Sequence, residues 1–344
     1  MKPARLAGLA LAASALAGCD SETWTVTAQS GGVASSLRGL SVVDDDTVWI
    51  GAPDGQVLRT LDGGASWQVS SVALADGADL RSAHGFDGEH ALFATAGQPA
   101  RILETRDGGE SFATVWNDTS GAAFIDSLAF WDRDRGLAFS DPVEGGFLIL
   151  RTLDGGASWH RLEGLPEPLE GEAGFAASNS SIALTAEGCA FIGTGGGAVA
   201  RILRSCDFGE HWDAVETPMA AGSGGAGIFS VSVGEPDVLV ASGGDYLSPE
   251  ARIGNFALST DHGDSWQLSD SPPFGYRSGV ANVGNQWFSV GTNGVDIGAA
   301  DPNGVEWRQS DWDIPAPNAI AFSASGRVGW IVGAEGGIWK LTMQ

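Results

Sequence analysis

Arg38, Arg81 and Arg277 belong to a set of only 18 basic residues in a chain of 344, and each stands at the approach to a short apolar run. Aligning these approaches gives Leu37-Arg38-Gly39-Leu40, Leu80-Arg81-Ser82-Ala83, Ile125-Asp126-Ser127-Leu128, Phe175-Ala176-Ala177-Ser178, Ile228-Phe229-Ser230-Val231, Tyr276-Arg277-Ser278-Gly279 and Pro317-Asn318-Ala319-Ile320. The second column holds all three arginines, together with Asp126 and Asn318. Guanidinium groups gathered in one place bind carboxylates and other oxyanions through paired, charge-assisted hydrogen bonds. Acidic and polar residues accompany them: Asp54, Asp141, Glu144, Asp245, Tyr246, Asn293 and Glu335 fall in neighbouring loops, and Glu172 precedes the fourth approach. A basic cluster ringed by acids is either a binding or catalytic site or a salt-bridge network lining an inert channel, and both readings stay open here.

Seven separate segments converge on one site only if the chain closes into a ring, and the repeats say that it does. Thr60-Leu61-Asp62-Gly63-Gly64-Ala65-Ser66-Trp67 recurs at Thr105 to Phe112, Thr152 to Trp159, Ser205 to Trp212 and Ser259 to Trp266. Each copy reads Ser/Thr-x-Asp-x-Gly-x-x-aromatic, the Asp-box pattern. Its aspartate (Asp62, Asp107, Asp154, Asp207 or Asp261) suits a tight turn, its glycine a positive φ, and its ring packing between sheets. The aspartates lie 45, 47, 53 and 54 residues apart, the period of an array. Asp301 to Trp307 resembles a sixth box with one residue inserted, and residues 318 to 342 repeat the strand pattern once more. The pattern predicts an all-β, seven-bladed β-propeller over residues 20–344. Its blades fall near 36–73, 78–117, 124–164, 173–217, 227–270, 276–312 and 317–344, with 23–28 closing the last blade as its outer strand. The arginine column is expected on the face away from the boxes.

Residues 1–19 join Lys2 and Arg5 to the apolar run Leu6 to Leu16 and then to Leu16-Ala17-Gly18-Cys19, the form of a signal peptide ending in a lipobox. Cleavage before Cys19 and its lipidation are expected to hold a short-tethered domain at the cell envelope, on its periplasmic side or surface. Without the leader, 16 basic residues face 43 acidic ones, a net charge of −27 that disfavours nucleic acid and anionic lipid head groups. Cys189 and Cys206 flank a hairpin that turns at Gly195 to Gly197; a symmetric register makes them a disulfide, and a slip of one or two residues leaves two thiols. Asp44-Asp45-Asp46 reads as a hairpin turn, and the five histidines are too scattered for a zinc site, so no metal is expected.

Leu58 to Trp67 and Ile149 to Trp159, each after a strand such as Val48-Trp-Ile-Gly51, look like the photosystem II stability and assembly factor propellers and their bacterial relatives. Arg38 to Asp46, Ser140-Asp-Pro142, Gly275 to Ser278 and Gly291 to Asp296 look like a bacterial lineage loosely named "oxidoreductase". The resemblance spans the mature chain. It implies a non-catalytic binding propeller: the photosynthetic members are similar in being chaperones that bind a basic or nascent membrane protein through an arginine-rich face. The expected function is therefore to assist assembly or stability of an envelope protein complex, with Arg38, Arg81, Asp126, Asp141, Glu172, Tyr276 and Arg277 at a ligand-binding channel mouth. The expected partner is an envelope or membrane protein or a small anion, and the expected state is a monomer. Sialidases carry the same box, so the alternative is a hydrolase clamping a carboxylate sugar with Arg38, Arg81 and Arg277, its nucleophile Tyr246 or Tyr276. A redox enzyme comes third, since no flavin, nicotinamide, haem or quinone motif is present and no cofactor is expected.

Overall fold

In the second strand of most blades the residues are apolar on both faces, as in Val48-Trp-Ile-Gly51 and Ala91-Leu-Phe-Ala-Thr-Ala96, and every residue of these two strands is buried. A strand covered on both sides belongs to a sheet packed between two others, which is the condition inside a ring of blades. The computed structural model describes residues 23–74, 78–234, 238–301 and 304–344, so Cys19 and the leader lie outside the described residues. Among the described residues the strands form seven four-stranded antiparallel sheets. Their large second-strand side chains, Trp49, Phe93, Phe139, Phe191, Phe288 and Trp330, are all 1% exposed or less and fill the gaps between blades.

Numbering strands in chain order, β1 (Trp24–Ser30) is the outer strand of the last blade. It pairs with β28 (Gly337–Met343) from Trp24 opposite Met343 to Ser30 opposite Gly337. The first and last described strands thus share one sheet, and the ring is closed without an exposed seam. Trp24 also packs edge-on against Phe288 and Phe322 and donates to Gln286 at 2.7 Å, which ties this strand to the sixth blade.

The five repeat turns share one hydrogen-bond scheme. Thr60 Oγ1 donates to Asp62 Oδ1 at 2.8 Å and accepts from the Gly64 amide. Asp62 in turn accepts from the Ser66 amide at 2.9 Å and from its hydroxyl. The same bonds recur around Asp107, Asp154 and Asp261, and around Asp207 with His211 in place of the serine. At the expected sixth copy the ladder between β24 (Gly294–Asp301) and β25 (Gly304–Gln309) instead runs on to Asp301 opposite Gly304. The strand pairing therefore runs through the stretch where the sequence places the turn.

β15 (Ala190–Gly193) and β16 (Ala200–Ser205) pair with Ala190 opposite Ser205, which sets Cys189 against Cys206 one step further on. Their sulfurs are bonded at 2.07 Å.

Candidate functional site

The innermost strands of the seven blades are β2 (Gly39–Val42), β6 (Asp79–Gly85), β10 (Ile125–Phe130), β14 (Ile182–Leu184), β18 (Ala226–Gly234), β22 (Gly279–Val283) and β26 (Pro317–Phe322). In four of them the ladder slips by one residue at the point the sequence alignment singled out: at Arg81, Asp126, Phe229 and Asn318. A bulged residue has no partner across the ladder, and the local bend re-aims its side chain. All four line a cavity of about 420 Å³ at the channel mouth.

The cavity is a cup rather than a pore, and the fourth blade supplies its floor. The approach Phe175 to Ser181, expected to lead straight into an inner strand, instead crosses the ring axis, and β14 begins only at Ile182. Ala177 O accepts from Arg38 Nη1 at 3.1 Å, on the first blade. Asn179 donates to Ala83 O on the second at 2.7 Å and accepts from the Leu128 amide on the third at 3.0 Å. Ser180 meets Ser230 of the fifth blade, and Ser178 donates to Ser278 O of the sixth at 2.6 Å. One short segment therefore satisfies backbone and hydroxyl groups of five other blades. Small side chains at Ala176, Ala177, Ser178 and Ser180 permit this close approach.

Charge and apolar surface divide around the wall. Arg38, Arg81, Asp126 and Asp141 come from the first three blades, whereas Phe175, Phe229, Tyr246 and Tyr276 come from the fourth to the sixth. Phe175 and Phe229 stack at 3.8 Å between centroids, and Tyr276 stands edge-on to Phe229 at 4.8 Å. Arg81 is held by Asp79 at 2.9 Å. Among the described residues the Arg38 guanidinium has no carboxylate partner; the Ala177 carbonyl is its one hydrogen bond. Burial, and then the neighbouring Arg81 charge, lower its pKa from the usual arginine value.

Asp126 is 1% exposed, and neither of its carboxyl oxygens has a hydrogen-bond partner. Burial, and then the adjacent Asp141 carboxylate, push its pKa well above the usual range. Burial also raises Asp141, against the opposing bond from the Gly174 amide at 2.8 Å. Gly174 is required for this arrangement, since a Cβ there would stand 2.3 Å from Asp126 Oδ2. Tyr276 is 6% exposed, and its burial raises the phenol's pKa, which keeps it protonated.

Two residues expected at the mouth are elsewhere. Arg277 is fully buried behind it, bonded to Asp296 at 2.6 and 2.9 Å, to Asn293 at 2.6 Å and to the carbonyls of Phe274 and Tyr276. Its position in the alignment matches Arg38, and neither inner ladder has a bulge there; Asp296 draws Arg277 inward. Glu172 is likewise buried, gripping Arg201 and accepting from Thr194 at 2.6 Å. Both pairs pin loops rather than face the cavity. Asp54, Glu144 and Glu335 occupy left-handed turn corners with φ of 57°, 55° and 54°, and Asp245 braces its own loop through Ser223 and the Leu247 amide. The three-arginine clamp is thus reduced to Arg38 and Arg81, and no glutamate lines the cavity beside Tyr246 or Tyr276. The aromatic wall was not expected as a unit, although Phe175, Phe229 and Tyr276 lie in the first two columns of the alignment.

No protein-family profile and no curated protein matches the chain. Among solved structures it is similar to YCF48 bound to D1 peptide, at 15% identity and a TM-score of 0.65, covering 94% of this chain and 98% of that one. YCF48 from Cyanidioschyzon merolae is similar at 16% identity and a TM-score of 0.60, covering 92% and 98%. A GH74 xyloglucanase from Xanthomonas campestris follows at 17% identity and a TM-score of 0.58, covering 90% of this chain and 59% of that one. At such identities the likeness establishes the seven-bladed propeller fold.

Proposed function

We propose that this chain is a binding propeller, tethered to the cell envelope through a lipidated Cys19, that assists assembly or stability of a membrane protein complex by holding an anionic group of its partner in the cavity. The observation that carries the reading is Arg38: a half-buried guanidinium with no carboxylate partner among the described residues, facing a cup on the face away from the repeat turns. A charge kept in that condition is stabilised when a carboxylate or comparable oxyanion arrives. The fold likeness to YCF48 bound to D1 peptide supports a protein segment as partner. The likeness to a xyloglucanase supports no hydrolysis by itself, because the fold hosts unrelated activities.

The test uses the full-length tethered chain with a photoreactive residue in place of the half-exposed Tyr246 at the rim. Irradiation of membranes is expected to give a discrete adduct that disappears in the Arg38→Ala variant. An adduct of equal yield in both chains would overturn the reading.

A further inference from the structure

The cavity presents two uncompensated groups of opposite sign. Among the described residues the half-buried Arg38 guanidinium has a carbonyl as its single hydrogen-bond partner, and the half-buried Asp141 carboxylate has one backbone amide and no cation. They form no ion pair with each other, and Arg81 is already engaged by Asp79. Leaving a buried polar group unsatisfied costs about 1–3 kcal/mol, and such groups in a native protein call for a partner that completes them. A simple anion satisfies Arg38 and sets a like charge near Asp141. A simple cation does the reverse. Only a ligand with both an acceptor and a donor end answers both groups, and the aromatic wall between them accommodates an apolar portion.

We propose that the cavity binds a dipolar ligand of the amino-acid class: its carboxylate on Arg38, its ammonium on Asp141, its side chain against Phe175, Phe229 and Tyr276. The inference rests on the cavity being the binding site described above and adds what that site reads. A volume of about 420 Å³ has room for one aromatic amino acid with ordered water, or for a dipeptide. Gly174 contributes its amide, which donates to Asp141 at 2.8 Å, and its lack of a side chain lets it pack against the buried Asp126 carboxyl.

The experiment is a calorimetric titration of the full-length protein with three probes: phenylalanine, its amide, which lacks the carboxylate, and hydrocinnamate, which lacks the ammonium. Phenylalanine is expected to bind at least about tenfold tighter than either half-probe, a difference of about 1.4 kcal/mol. Arg38→Met is expected to abolish its advantage over the amide, and Asp141→Asn its advantage over hydrocinnamate. Melting curves of both variants confirm the fold. Hydrocinnamate binding as tightly as phenylalanine would overturn the dipolar assignment while leaving an anion-holding cavity intact. Binding of none of the probes would also overturn it; the photo-adduct at position 246 then decides separately whether the cavity is a protein-binding site.

Discussion

Two arginines in one alignment column do opposite work, and their surroundings explain why. Arg277 fastens the loop that carries Phe274 and Tyr276, and removing it leaves Asp296 buried without its counter-ion. Arg277→Ala is therefore expected to lose about 3–5 kcal/mol in denaturant unfolding. Arg38→Ala deletes one hydrogen bond to Ala177 and is expected to lose no more than about 1.5 kcal/mol. Asp126 predicts the reverse of the usual polar substitution. Its raised pKa means that the folded chain holds a proton the unfolded chain releases near pH ~3.9. The group thus lowers stability progressively as pH rises above that value, up to its own folded pKa. Asp126→Asn is expected to raise the melting temperature at pH 7 and to leave it unchanged at pH 3. A melting temperature lowered at pH 7 would show that the carboxylate is satisfied in the fold.

Among the elements, the repeat turn was the most legible in sequence, because its geometry demands a hydroxyl, an aspartate and a glycine at fixed spacing. Its aspartates report on it directly. Hydrogen bonds from Ser66, Ser111 and Ser265, and from the His211 amide at Asp207, hold Asp62, Asp107, Asp261 and Asp207 at a pKa of about 2. A depressed pKa contributes stability above the unfolded value that is lost as pH falls through the folded one. Cooperative acid unfolding is accordingly expected between about pH 4 and pH 2, shifted to higher pH in an Asp62→Asn, Asp107→Asn double variant; an unshifted midpoint would contradict this. The bulges were not legible. Arg81 and Asp126 reach the cavity because the backbone slips one residue, and no side-chain pattern encodes that slip. The floor segment was misread for a related reason: Ala176-Ala177-Ser178 resembles an ordinary approach, and only its contacts across the axis keep it out of a strand. Arg277 and Glu172 were assigned to the mouth because the alignment could not show Asp296 and Arg201 waiting behind it.

At the scale of the molecule, closure is the feature on which the others depend. Bulged residues from separate blades converge only while the ring is shut, and β1 shuts it by pairing with β28 along its whole length. Deleting residues 24–30 is expected to abolish cooperative unfolding and ligand binding together; a truncated chain that still melts sharply would show that six complete blades suffice. An acidic chain, with a formal net charge of −25, keeps at its channel mouth a half-buried guanidinium with no carboxylate partner among the described residues, which makes that mouth a local exception to the molecule's overall charge. The account's central claim is that Arg38 holds an anion there. The most direct measurement is the affinity of hydrocinnamate for the wild-type protein and for Arg38→Met, both checked for equal melting temperature. The account predicts binding at least about tenfold weaker in the variant; equal affinity in the two proteins would contradict it.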